Sequence, residues 1–242
     1  MLRARRLFVG LFVVAAAAGC SSAPTGPPPF SSLRPYAVVQ TAVQAANRAG
    51  SMHFLDVTTS GKHQVTLIGK ISAGAAEEVV QGTESFEVLL HDATIYVRGS
   101  SAFLTSALSL SSAEATAYAG KWISVSSGDN PYEAIAGTLT LEAELNSYLP
   151  TSPLKFGRTI KLHGHRVASV LGTAPASVTG SGGSNALFVS ATGPHYPLGG
   201  SLVVTTKNAG YRENAVFSNW GEAVTTSAPS GAVPLSSISG AA

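Results

Sequence analysis

The chain of 242 residues has one cysteine, two methionines and two tryptophans, and only 12% of it is charged. One cysteine excludes an intrachain disulfide, so a folded domain must stand on apolar burial alone. Sparse charge leaves little for solvated helix faces, whereas the abundant Gly, Ala, Ser, Thr and Val suit strands and turns. Catalytic signatures are missing: there is no G-x-S-x-G, H-E-x-x-H, G-x-x-x-x-G-K-[ST] or C-x-x-C. No basic stripe of the kind a nucleic-acid binder carries is visible. The formal charge of +2 includes Arg3, Arg5 and Arg6 at the very start; without them twelve basic residues face thirteen acidic ones.

Those three arginines open a leader. Leu7–Ala18 follows without a charge; it is too short for a membrane span of about 20 residues but fits a secretory apolar region. Ala17-Ala18-Gly19-Cys20 then resembles a bacterial lipobox, with Ala17 where Leu is usual. The resemblance implies cleavage before Cys20 and a diacylglyceryl group on its thiol; the alternative is an ordinary signal peptide cut elsewhere. Residues 1–19 are thus expected to be removed. Residues 20–34, rich in Ser and Pro and stiffened by Pro27-Pro28-Pro29, form a tether. After it, no stretch reaches the ~18 uncharged apolar residues of a membrane helix.

The domain is expected over 35–226. Val38, Val39, Ala42, Val43 and Ala46 recur at helical spacing from Pro35, and Gly50 closes the run. Strands are expected at Met52–Thr59, Lys62–Ser72, Ala76–Gln81, Glu84–Leu90 and Thr94–Arg98, joined by short turns as in an antiparallel meander. In the second strand His63, Val65, Leu67, Gly69 and Ile71 share a face. Short helices are expected at Ala102–Leu108, Ala113–Ala119 (capped by Ser111 or Ser112), after Pro131, and at Leu139–Tyr148, with a short strand at Gly120–Val125. Strands return at Leu154–Leu162, Arg166–Leu171, Ala186–Ala191, Ser201–Thr206 and Ala215–Trp220. Residues 227–242, rich in Ser, Gly, Pro and Ala, read as a loose tail. The fold class is α+β: one large curved antiparallel sheet with helices on one face.

Ile95-Tyr96-Val97-Arg98-Gly99, the helical stretch into Tyr118-Ala119-Gly120-Lys121-Trp122-Ile123, and His195-Tyr196-Pro197-Leu198 before a strand occur in that order. With the lipobox and tether, this resembles the actinobacterial lipoproteins related to LprG and LppX, and more distantly the carriers LolA and LolB. The resemblance implies a half-open β-barrel with helices across its concave face and an apolar cavity for acyl chains between them. It also implies a lipid anchor at Cys20, residence at the outer face of the plasma membrane, an acylated lipid as ligand, and no enzymatic activity or cofactor. Domains of this type also serve in envelope sensors, so a protein partner without cargo is the rival reading. Positions expected to line a cavity are Val65, Leu67, Phe86, Val88, Ile95 and Val97 on the sheet, and Phe103, Leu104, Leu108, Ile135, Leu141 and Leu145 on the helices. Ordinary core packing is the competing expectation for each.

Other features point to no chemistry. Gly180-Ser181-Gly182-Gly183-Ser184 reads as a hairpin loop, and His163 and His165 as surface histidines beside Lys161 and Arg166. Glu142 and Glu144 do not share a helix face. Glu77-Glu78 reads as a solvated turn or edge.

Overall fold

The computed structural model describes residues 32–82, 85–162, 164–175, 183–205 and 210–238. The leader, Cys20 and most of the tether lie outside these residues, as do Glu84, His163 and 180–182 of the Gly-rich stretch.

Helix α1 (Pro35–Ala49) begins with Pro at its first position, where no N–H is needed. It ends at Gly50, whose φ of 71° lets its N–H reach Ala46 O at 3.0 Å. Its buried stripe is Val38, Val39, Ala42, Ala45 and Ala46. A meander follows: β1 (Ser51–Ser60), β2 (His63–Ser72), β3 (Ala75–Gln81), β4 (Phe86–His91) and β5 (Thr94–Gly99). Two helices come next, α2 (Ser101–Leu108) and α3 (Ser112–Tyr118). Ser100 caps the first, and a reciprocal Ser111–Glu114 capping box starts the second. After the short β6 (Ile123–Val125) come α4 (Tyr132–Thr138) and α5 (Leu141–Tyr148). The second half is β7 (Thr151–Phe156), β8 (Ile160–Leu162), β9 (His165–Thr173), β10 (Gly183–Ser190), β11 (Pro197–Thr205) and β12 (Gly210–Ser218).

All of these strands join one open sheet in the order β6-β5-β4-β3-β2-β1-β12-β11-β10-β9-β7, every neighbour antiparallel, with β8 also on β9. The β1–β12 pairing welds the two halves. The fold is therefore α+β with a large open antiparallel sheet, as expected.

The loose tail is a correction. Val233–Pro234 forms β13, pairing in parallel with β6, and Val233 N–H reaches Trp122 O at 2.9 Å. Leu235, in a short 3-10 turn, and Ile238 are buried in the core. The edge strand β6 leaves backbone groups and apolar surface open, and Val233, Leu235 and Ile238 cover them. The polar composition hid three apolar side chains at useful spacing.

Strand alternation gives the sheet an inner face. Met52, Phe54 and Asp56 on β1 align with Ile71, Gly69 and Leu67 on β2, then with Ala76, Glu78 and Val80 on β3. Across the weld, Asp56 pairs with Ala215 and Phe54 with Phe217. The buried side chains of this face and of the helices form one core cluster.

Candidate functional site

The twelve expected lining positions divide by burial. Val88, Ile95, Val97, Leu104, Leu108 and Leu145 are buried in the common core, at 0–4% exposure. Leu67, Phe86, Phe103, Ile135 and Leu141 are half-buried and pack against that core. Val65 stands apart, 39% exposed near the β1–β2 turn at the start of its strand. Its parity is inward, but the strand runs past the helices there.

Phe86 and Phe103 bring sheet and helix together. Their rings stack with centroids 4.1 Å apart and 9° between planes. Gly99 makes this possible, since a Cβ there would sit 2.6 Å from the Phe103 ring and 2.9 Å from Phe86. Beside this stack an open groove of about 590 Å³ runs along Val79, Val80, Phe86 and Gly99 and the polar Gln81, Ser85, Glu87, Arg98 and Ser100, ending at Ala119 and Gly120. Val80 and Phe86 come from the inner face, while Ser100 and Gly120 mark the start of α2 and the end of α3. The groove thus lies at the seam between sheet and helices. Its volume falls in the range of ligand sites, roughly 300–1,000 Å³. Arg98 forms its rim, paired with Glu87 and lying 4.6 Å from the Trp122 ring centroid. Nearby, α4 has no fully buried residue, yet it rests Tyr132, Ile135 and Ala136 on the core.

The motifs that carried the resemblance have structural roles. Gly120 N–H reaches Gly99 O at 2.9 Å, joining two of them at the seam. His195 is buried in the β10–β11 connection, with Nδ1 3.0 Å from Ser190 O. Tyr196 stacks on Trp220, whose indole N–H donates to Pro197 O at 2.9 Å.

A second part of the inner face is polar, and the strand and helix readings missed it. Tyr148, at the end of α5, lies against Gly200, where an added Cβ would come within 2.6 Å of the ring. Its hydroxyl is 2.5 Å from both Asp56 Oδ2 and Glu213 Oε1. One hydroxyl has one proton to donate, so a second proton, on one of the carboxyls, completes the triad. Burial, together with the charge of Glu213, pushes the Asp56 carboxyl up to about 8, against the opposing hydrogen bond from Tyr148. Burial likewise raises Glu78 to about 7. Glu144 on α5 is raised by burial and by the charges of Asp56, Glu78 and Glu213. Asp56 Oδ1 and Glu144 Oε1 are buried without a hydrogen-bond partner. Asn185 holds α5 down from beside, its amide donating to Ser147 O and Leu149 O at 2.9 and 3.3 Å.

Glu77-Glu78 is therefore only half solvated. Glu77 faces outward to Lys70 at 2.6 Å, and Glu78, one residue on, faces the core. The signal was present: Asp56, Glu78 and Glu213 each occupy a position in phase with apolar neighbours, and Glu144 lies three and four residues from Leu141 and Tyr148.

Two further grooves lie on the opposite, outer face: about 450 Å³ along Leu171, Ala186 and Val203, and about 420 Å³ along Leu162, Leu198, Val216 and Trp220. Among the described residues no three His, Cys, Asp or Glu converge as metal ligands would, and no helix is long and apolar enough to cross a membrane.

No family profile matches the sequence, and no curated protein matches it. The fold has solved counterparts. Lipoprotein LppX of Mycobacterium tuberculosis superposes with a TM-score of 0.51 at 16% identity, over 79% of this chain and 97% of its own. LprF from Mycobacterium bovis gives 0.51 at 15% identity, over 81% and 97%.

Proposed function

From the LppX-type fold that it shares with two mycobacterial lipoproteins, we propose that this chain is a cell-envelope lipoprotein that takes the acyl part of a lipid into the seam between its sheet and helices. The observation that carries the reading is the groove of about 590 Å³ at that seam, continuous with the half-buried Phe86 and opening beside the Phe86–Phe103 stack. An acyl chain needs no polar partner there, since each CH₂ removed from water contributes about 0.8 kcal/mol. Parting Phe103 from Phe86, or lifting α4 with its half-buried Tyr132, Ile135 and Ala136, extends the groove toward Leu67 and Leu141. The loosely seated α4 is the element with the least burial to lose. Cys20 would hold the domain at the outer face of the plasma membrane through its acyl chains, with residues 20–34 as the tether. Two chains are enough for stable anchoring. The role is transfer or presentation of the lipid rather than chemistry on it.

The full chain with Cys20→Ser, which blocks lipidation, tests this by native mass spectrometry after gentle purification. Lipid adducts of stoichiometric abundance are expected, and Phe103→Asp should remove them. A protein that is lipid-free in every preparation and takes up no lipid from vesicles contradicts the reading.

A second reading is favoured by the six expected lining residues that are fully buried in the core. A filled interior suits an envelope sensor or scaffold with a protein partner and no cargo. Crosslinking in intact cells distinguishes the two, because one stoichiometric protein partner and no lipid supports the scaffold.

A further inference from the structure

We propose that the Asp56–Tyr148–Glu213 triad, with Glu144 and Glu78 beside it, is a proton-controlled latch that holds α5 on the sheet and releases it when the cluster loses its protons. This goes beyond lipid binding and does not rest on it.

The geometry demands protons. Tyr148 Oη is 2.5 Å from carboxyl oxygens of two different strands, β1 and β12, and has one proton for the two contacts. The docked position of α5 therefore contains at least one carboxylic acid. From α5, Glu144 and Tyr148 face the sheet, whereas Glu142 is exposed. Asp56 (β1), Glu78 (β3), and Glu213 and Tyr211 (β12) face them. Glu133 of the adjoining α4 is exposed. Among the described residues, no Lys, Arg or His occupies an inward position of β1, β3, β10, β11 or β12 in this region, and on β2 the one inward-phase histidine, His63, is exposed at the start of the strand, four residues from Leu67, the partner of Asp56. Ionised carboxylates here have no cation to offset them. Burial disfavours each charge, and like charges disfavour one another, which is why Asp56 and Glu78 hold their protons up to about 8 and about 7 and Glu144 is raised well above the usual carboxylate range.

Loss of the protons places charges on both sides of one interface. The sheet cannot rearrange, because β1 and β12 are paired along seven consecutive positions. Helix α5 is eight residues long and buries only Leu145 and Tyr148 fully. Moving it exposes Glu144, Asp56 and Glu213 to water and relieves the repulsion, against the burial given up by Leu145 and Tyr148. Release of Tyr148 also breaks the bonds that the Asn185 side-chain amide donates to the flanking Ser147 O and Leu149 O.

The test is a pair of spin-label distances in the full chain carrying Cys20→Ser and stripped of lipid, so that it is decided whether or not the protein carries cargo. Labels at Asn146→Cys on α5 and Ser218→Cys on β12 report the latch. Gln40→Cys on α1 with Ser218→Cys is the control; all three sites are exposed. One α5–β12 distance is expected at pH 5.5, with at most about a tenth of the population elsewhere, and at pH 8.5 a longer distance should account for about half or more. The α1–β12 distance should not change. Asp56→Asn with Glu144→Gln should abolish the pH response; if that variant does not fold, Glu144→Gln alone should reduce it. The proposal is overturned by identical α5–β12 distances at both pH values. It is equally overturned by parallel lengthening of the control pair, which is whole-domain unfolding, or by an undiminished response in the variants.

Discussion

The inner face has two regions that solve burial in opposite ways. Under α2, α3 and α4 the contacts are apolar and include the flat Phe86–Phe103 stack beside an open groove. Under α5 the same face carries Asp56, Glu78 and Glu213, met by Glu144 and Tyr148, with the buried Asp56 Oδ1, Glu144 Oε1 and Asn185 Oδ1 lacking partners. The first region buries no acid: on its helices Glu133 is exposed and Glu114 is only half-buried, in its capping box. The second is held by protons, and buried acids of this kind cost stability wherever they must ionise. One open sheet thus presents a hydrophobic seam and a titratable one, each under its own helices.

The largest effect should come from the apolar side. Leu104→Ala, which truncates a fully buried core residue, should destabilise by about 2–5 kcal/mol. The loss should be equal at pH 5.5 and 8.5 by urea denaturation; a loss confined to one pH would mean that the two regions are not separate.

The acidic side should give the pH dependence itself. Asp56 and Glu78 bind their protons more tightly folded, at about 8 and about 7, than at their ordinary 3.8 and 4.5, and Glu144 shifts the same way. The folded state then holds more protons than the unfolded one. This contribution to stability is complete below pH ~4 and is lost as pH rises through 7 and 8. With one pKa unit equal to about 1.4 kcal/mol, a fall of the order of 2–4 kcal/mol between pH 5.5 and 8.5 allows for partial hydration and relaxation. Differential scanning calorimetry should show the melting temperature falling over that interval; a rise would reverse the assignment.

Tyr148→Phe removes the hydroxyl and leaves two carboxyls without their shared donor, at a cost of about 1–3 kcal/mol. The cost should be smaller at pH 8.5, where α5 is released, than at 5.5, again by urea denaturation. Gly69→Ala should cost about 1–3 kcal/mol by overpacking, because its Cβ would meet the Phe54 ring at 2.2 Å. Unlike Tyr148→Phe, it should leave the pH profile unchanged. Val65→Thr, at an exposed position, should change stability by no more than about 0.5 kcal/mol.

The two regions were not equally legible in the sequence. Element order, the α1 stripe closing at Gly50, the meander through β5 and the Ser111 cap follow from local periodicity and turn chemistry, and the structure places them where that pattern indicates. The β1–β12 pairing joins residues more than 150 positions apart, and no local signal reports it. That pairing brings Asp56 and Glu213 to one hydroxyl, so the acidic cluster was invisible as a cluster. Its members were visible singly, as acids in apolar phase, but on a pleated strand one residue separates the solvated Glu77 from the inward Glu78. The seam was half legible. Phe86 and Phe103 were both expected to face a cavity, while the groove beside them depends on Gly99 and on the turns at Ser100 and Gly120. The order of Val233–Ile238 comes from an open edge at β6 that a reading of the tail alone does not include.

The proposed seam is tested most directly by a photoactivatable fatty acid, diluted into the full chain with Cys20→Ser, crosslinked and mapped by peptide mass spectrometry. The account predicts crosslinks on the segments carrying Val80, Phe86 and Gly99–Phe103, extending to Ile135 or Leu141. Crosslinks confined to the outer-face grooves lined by Leu171, Ala186 and Val203 and by Leu198, Val216 and Trp220, or none above a Phe103→Asp control, would contradict it.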